Sequence, residues 1–131
     1  MNSDESFEAT FYGGCEQGKF LLQRCTAGGH LQYPPGPLCR QCGSALGGWI
    51  EAGRTGTVES FSLVRRAPAA AYNTHVPYMV GVVRLAEGPI FETWLKIDGR
   101  TPETGEVAVG RAAAIEFRAI NGKTVPVAAL R

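Results

Sequence analysis

Apolar and polar positions alternate along this chain in two different rhythms. In the first stretch Phe7, Phe11 and Cys15 recur every four residues, which lays one apolar stripe along a helix. Ser3 is placed to cap it, and Asp4, Glu5 and Glu8 fall in or near a first turn whose dipole favours acids. The pattern predicts a helix over residues 3–17. Gly13 and Gly14 weaken it by about 1 kcal/mol each, so this helix needs a surface to pack on. Cys15 then reads as a buried helix-face residue rather than a metal ligand. Residues 19–25, KFLLQRC, read as a strand leading into Cys25. Residues 26–44 are Gly, Pro and polar residues that cannot build a regular core, and such segments need a staple such as a metal.

From residue 49 the rhythm shortens to a period of two. WIEAGRTGTVESFSLVRR alternates and is rich in β-formers, and a loop, APAAAYNTHVP, leads to the strand YMVGVVRL. AEGP is a turn, IFETWLKID another alternating strand, and GRTPETGEVAVG a polar connection. RAAAIEFRAI and TVPVAAL flank Asn121-Gly122, a strong hairpin signal. About five short strands with glycine-marked bends predict a small closed or partly closed barrel. Gly53-x2-Gly56 lacks the Lys-Ser/Thr of a phosphate loop and sits between strands, so it reads as a bulge or bend. The expected organisation is a helix and knuckle segment over residues 1–48 and a barrel over 49–131.

Composition narrows the functional classes. The chain has 131 residues, 44% of them hydrophobic, enough for a packed core. Thirteen basic residues nearly cancel 12 acidic ones, which argues against a surface built for polyanions. No apolar run approaches the roughly 20 residues of a membrane span. MNSDESFEATF shows no basic segment followed by an apolar one, so no secretory signal is read and a cytoplasmic location is expected. Thiols stay reduced there, and the four cysteines are expected to be ligands or core residues rather than disulfides.

The chemistry concentrates in residues 25–42, CTAGGHLQYPPGPLCRQC. Zinc takes four ligands at tetrahedral corners, and a pair of CxxC turns supplies them. The spacing Cys25-x13-Cys39-x2-Cys42 is that of a ribbon with its second ligand replaced by Gly28. His30, two residues on, is a nitrogen donor within reach. Three readings stand side by side. Zinc is held by Cys25, Cys39 and Cys42 with His30 or an outside group; or the knuckle keeps its shape without metal, through packing and the stiff Pro34-Pro35-Gly36-Pro37 segment; or an open zinc site or reactive thiol does catalysis. The third lacks a local general base, since no Asp or Glu lies between residues 17 and 50. Zinc is therefore expected to be structural.

Taken in order, "GKFLLQRC", "YPPGPLCRQCGS", "GWIEAGRTGTVESFSLV", "VPYMVGVVRL" and "EGPIFETWL" resemble the zinc-ribbon plus OB-fold family of acyl-CoA-associated proteins, long catalogued as a domain of unknown function. The resemblance covers roughly residues 7–128. It departs at Gly28, where the family carries a knuckle cysteine. It implies a mainly β fold: an N-terminal helix and rubredoxin-like zinc ribbon followed by a small OB-fold barrel. It also implies a non-catalytic accessory subunit, in a hetero-oligomer with a thiolase-like enzyme or a hydratase acting on CoA esters, such as steroid side-chain or aromatic acyl-CoA substrates.

The residues agree, because they offer no Ser/His/Asp set and no HExxH. Arg65, Arg66, Tyr72, His75, Pro77 and Tyr78, on the loop between two strong strands, are the candidate partner- or substrate-facing edge; the alternative is an ordinary exposed loop. A competing class is a single-stranded nucleic-acid binder, which needs stacking aromatics beside a basic groove. The strand aromatics Phe61, Tyr78, Phe91, Trp94 and Phe117 are not interleaved in sequence with the three lysines, Lys19, Lys96 and Lys123, so nucleic acid is not the expected partner.

Overall fold

A computed structural model describes residues 3–66, 70–72 and 74–131, with side chains from residue 7 onward except Ala71. The capping and dipole roles expected of Ser3, Asp4 and Glu5 lie outside the described side chains, as do residues 67–69 and 73 of the long loop.

Helix α1 spans Ser3–Glu16. It stops at Gly18, whose φ of 75° lets Lys19 N–H reach back to the Gly14 carbonyl at 2.8 Å. Gly14, a cost on propensity alone, has a packing reason: a Cβ there would stand 2.7 Å from Leu21 Cδ1. Phe11 and Cys15 are buried, and burial pushes the Cys15 thiol up to about 11.

Strands β1 (Leu21–Cys25), β2 (Leu31–Gln32) and β3 (Leu46–Glu51) form an antiparallel sheet in the order β2-β1-β3. Trp49 and Ile50 pair with Gln23 and Leu22, so the ribbon sheet runs on to Glu51, past residue 48. The barrel strands are β4 (Thr55–Val64), β5 (Tyr78–Leu85), β6 (Ile90–Lys96), β7 (Ala112–Ile120) and β8 (Lys123–Leu130). They close in the order β4-β5-β6-β8-β7, with β7 returning to β4. The expected bend between Gly53 and Gly56 is at Arg54, with φ 62°, whereas the register shift in β4 comes later, between Val58 and Ser60. Asn121 and Gly122, both at positive φ, make the hairpin turn that the sequence signals.

One apolar core joins these parts. Phe11 of α1, Phe20 and Leu22 of the ribbon, and Met79, Val83, Phe91 and Leu95 of the barrel belong to a single buried cluster. Phe20 sits 5.0 Å from Phe91 and 5.8 Å from Phe11, centroid to centroid. Among the described residues no helix is long and apolar enough to cross a membrane.

Candidate metal centre and aromatic cleft

Two turns of the same design carry the knuckle ligands. In the first, Gly29 N–H donates to the Cys25 carbonyl and Cys25 N–H to the His30 carbonyl, at 3.1 and 2.8 Å. In the second, Gly43 N–H donates to Cys39 and Cys39 N–H to Ser44, at 2.8 and 3.0 Å. Gly29 and Gly43 both sit at positive φ, 68° and 74°, as a turn that tight requires. The sequence between the turns is tied down by Gln23, whose buried amide accepts from Gly36 N–H at 2.7 Å and donates to its carbonyl at 3.1 Å.

The ligand atoms of Cys25, His30, Cys39 and Cys42 all lie within 4.8 Å of one another. Cys25 Sγ is 3.4 Å from Cys42 Sγ, and Cys39 Sγ is 3.7 Å from His30 Nδ1. Zinc with bonds of about 2.0–2.3 Å spaces tetrahedral ligands by roughly 3.5–3.8 Å, so the donor set fits it in kind, and the Cys25–Cys42 and Cys39–His30 approaches are near that spacing. Cys25 and Cys39 are buried and Cys42 exposed. Hydrogen bonds from the hydroxyl and backbone of Ser44, then from Cys25 and Cys39, bring the Cys42 thiol down to about 6, while burial raises Cys39. When bound, zinc supplies a crosslink between the two turns. Glu87, on the β5–β6 turn, lines a cavity with His30 and accepts from Gly53 N–H at 2.7 Å.

The loop candidates divide. Tyr72, His75 and Tyr78 gather on Trp94, with ring centroids at 5.9, 5.3 and 4.3 Å, the last pair stacked. Tyr78 is buried, because it is the first residue of β5 and points into this stack, so it forms a wall and not an exposed edge. His75 Nε2 is 3.0 Å from Asn121 Oδ1, which ties the loop to the β7–β8 hairpin. Pro77 is exposed and its carbonyl accepts from Thr101 Oγ1 at 3.3 Å. Arg65 and Arg66 are exposed in the bend after β4, away from the cleft lining.

That cleft, about 560 Å³, is walled by Tyr12, Tyr33, Tyr72, Tyr78, Phe91 and Trp94, with Glu92, Asn121 and Lys123 among its polar groups. It exists because the parallel ladder between β6 and β8 holds only at Leu95–Ala128 and Lys96–Ala129. Next to it the two strands are bridged by a side chain, Thr93 Oγ1 donating to the Pro126 carbonyl at 2.7 Å. Burial raises the phenols of Tyr12 and Tyr33 and keeps them neutral. Lys123 Nζ lies 3.6 Å from the Tyr12 ring centroid and Lys96 Nζ 5.5 Å from that of Trp94. Two lysines thus meet aromatic rings in space, although the linear order kept most of these residues apart. Tyr12, Tyr33 and Lys123 come from three distant parts of the chain, so no single window of sequence joins them.

These observations define a class: a rubredoxin-like zinc ribbon joined to an OB-fold barrel. The chain belongs to the ChsH2 family, with residues 13–46 matching its rubredoxin-like zinc ribbon domain and residues 49–118 its C-terminal OB-fold domain. A probable enoyl-CoA hydratase alpha subunit of Thermomonospora curvata is 33% identical over 109 residues, 83% of this chain and 32% of that protein. A DUF35 domain-containing scaffold protein of Pyrococcus furiosus is 34% identical over 62 residues, 47% of this chain and 45% of that one. The chain therefore spans less than half the length of either curated relative. Among solved structures, a chain of the Ltp2-ChsH2(DUF35) aldolase superposes at TM-score 0.78 and 29% identity, covering 99% of this chain and 96% of that one. A DUF35 protein from Sulfolobus solfataricus shares the fold, with TM-score 0.65 at 15% identity.

Proposed function

We propose that this chain is a non-catalytic accessory subunit that binds a thiolase-superfamily enzyme, of the thiolase or thiolase-like aldolase kind, and supports carbon–carbon bond cleavage or formation on CoA esters. Steroid side-chain and aromatic acyl-CoA compounds are the substrate classes. The likeness to the chain of the Ltp2-ChsH2(DUF35) aldolase carries this reading, because it runs over 99% of this chain and 96% of that one. In it, zinc on Cys25, His30, Cys39 and Cys42 fixes the ribbon, and the ribbon fixes Tyr33 against the barrel. Arg65, Arg66, Tyr72, His75 and Pro77 offer the edge that meets the partner enzyme, and Tyr78, buried against Trp94, walls the cleft that faces its acyl substrate. Aromatic and arginine side chains suit such a role, since they are enriched among the residues that carry most of an interface's binding energy.

A hydratase partner is the second reading, favoured by the 109-residue match to the enoyl-CoA hydratase alpha subunit. Co-expression with thiolase-like and hydratase-like proteins of the same genome separates the two. The expected result is one complex on gel filtration with the thiolase-like protein, whose activity on CoA esters depends on this chain. A thiolase-like protein that is soluble and fully active alone, and forms no complex, overturns the proposal. Salt-sensitive retention of the chain on an oligonucleotide would instead place it with single-strand binders.

A further inference from the structure

We propose that the fourth ligand of this ribbon has moved two residues along the chain, from position 28 to His30, and that Gly28 is glycine because the imidazole occupies the space its side chain would need. The inference rests on the ligand reading above and adds a second residue to it, one with no donor atom.

The two knuckles give the comparison within one molecule. Their backbone hydrogen bonds correspond: Gly29 to Cys25 matches Gly43 to Cys39, and Cys25 to His30 matches Cys39 to Ser44. Under that correspondence Gly28 stands where Cys42 stands, and His30 where Ser44 stands. In the second knuckle the third residue after the first cysteine carries the sulfur, and Ser44 closes the turn by accepting from Cys39 N–H. In the first knuckle the residue in the serine's place reaches over and delivers a ring nitrogen itself.

The sterics support this assignment. A Cβ built on Gly28 would lie 2.4 Å from His30 Cε1 and 2.9 Å from both ring nitrogens, closer than real atoms approach. Gly29 next to it is the opposite kind of glycine, with φ 68° and open space around its missing Cβ. Gly28 is absent from the positive-φ glycines, so its backbone does not demand glycine. What remains is the ring. A side chain at position 28 would therefore have to push the imidazole, the movable end of His30, from the place it holds beside the three cysteines.

Cobalt(II) substitution tests this without any enzymatic assay, because tetrahedral cobalt reports the thiolate and imidazole count in its visible and near-ultraviolet spectrum. The metal-stripped protein is titrated with cobalt and then with competing zinc for wild type, Gly28→Ala, His30→Ala, the double variant and Gly28→Cys. The spectrum of three sulfurs and one nitrogen is expected for wild type. Gly28→Ala should lose the imidazole as fully as His30→Ala, each weakening zinc by at least about tenfold. The double variant should bind no more weakly than either single one, the mark of two changes acting on one contact. Gly28→Cys should give four thiolates, its sulfur-to-metal charge-transfer absorbance rising by about a third as three sulfurs become four.

If Gly28→Ala keeps the wild-type spectrum and zinc affinity while His30→Ala changes both, the exclusion is wrong and the ligand reading stands. If His30→Ala changes neither, both fall. Gly28→Cys adds a donor rather than removing one, so it decides the matter should the alanine variants fail to fold. A retained imidazole in its spectrum overturns the proposal.

Discussion

The ribbon and the barrel share one core but are held together by different means. In the barrel, five strands close a ladder around Val58, Met79, Val83, Leu85, Leu95 and Ile115, all nearly inaccessible to water. Hydrophobic burial and a closed hydrogen-bond network suffice there. The ribbon sheet has only a two-residue β2, and its long connection is organised by polar side chains. Gln23 bonds Gly36, Gln32 donates to Gln23 at 3.0 Å and accepts from Arg40 N–H at 3.1 Å, and Arg40 clamps the Pro34 carbonyl at 2.6 Å. A segment that cannot bury enough apolar surface relies on directional bonds, and directional bonds fail one at a time. The four converging ligands at its tip are the strongest of these bonds once zinc is present.

The largest effect should come from that tip. Cys39→Ser, or a strong chelator, removes a binding free energy on the order of 10 kcal/mol for a structural zinc. Hydrogen exchange should then show the amides of residues 21–51 losing protection, while β4–β8 keep theirs. Protection lost uniformly over both parts would mean that the ribbon and the barrel unfold as one unit and that the contrast between them is false.

The second break is at the junction. Phe91→Ala takes away a fully buried ring that meets Phe20 and Tyr33, each at 5.0 Å, and should cost about 3–5 kcal/mol. With the shared core cut, calorimetry should resolve two transitions in place of one. A smaller, purely ribbon-directed cost of about 1–3 kcal/mol is expected for Gln23→Leu, which keeps the volume but orphans the Gly36 amide. Exchange at Gly36 measures it directly, and an unchanged rate would show that the glutamine is dispensable.

How far these features can be read from the chain depends on the range of the contacts that make them. Strand alternation is local, so the barrel strands, the Asn121-Gly122 turn and the buried Cys15 were legible. The spacing of Cys25, Cys39 and Cys42 is local as well, and His30 lies beside them. Gly28 reads in sequence as a ligand lost, and only the 2.4 Å approach of the His30 ring gives it a steric meaning. Gln23 follows an apolar pair in a strand, where alternation offers no sign that its amide will be buried among backbone groups. The cleft draws its walls from α1, the ribbon, β5, β6 and β8, and it opens because the β6–β8 ladder stops after two pairs, a register that no stretch of sequence encodes.

The smallest expected effect sharpens the contrast from the barrel's side. Its most complete polar cluster is on the surface: Arg100 donates twice to Glu106, at 2.8 and 2.6 Å, and Glu103 N–H donates to the same carboxylate at 2.9 Å. Arg100, and then the Glu103 amide, lower the Glu106 carboxyl from 4.5 to about 2. A carboxyl lowered on folding stabilises the protein above its unfolded value, and that contribution is lost as the pH falls from about 4.5 through about 2. Arg100→Gln should flatten this part of the melting-temperature profile, with variant and wild type converging at its acid end. The groups are half exposed, so solvent screens the pair and the offset at neutral pH should be small, below that of Gln23→Leu. An offset at neutral pH larger than the Gln23→Leu loss would mean that the barrel, like the ribbon, depends on directional polar bonds.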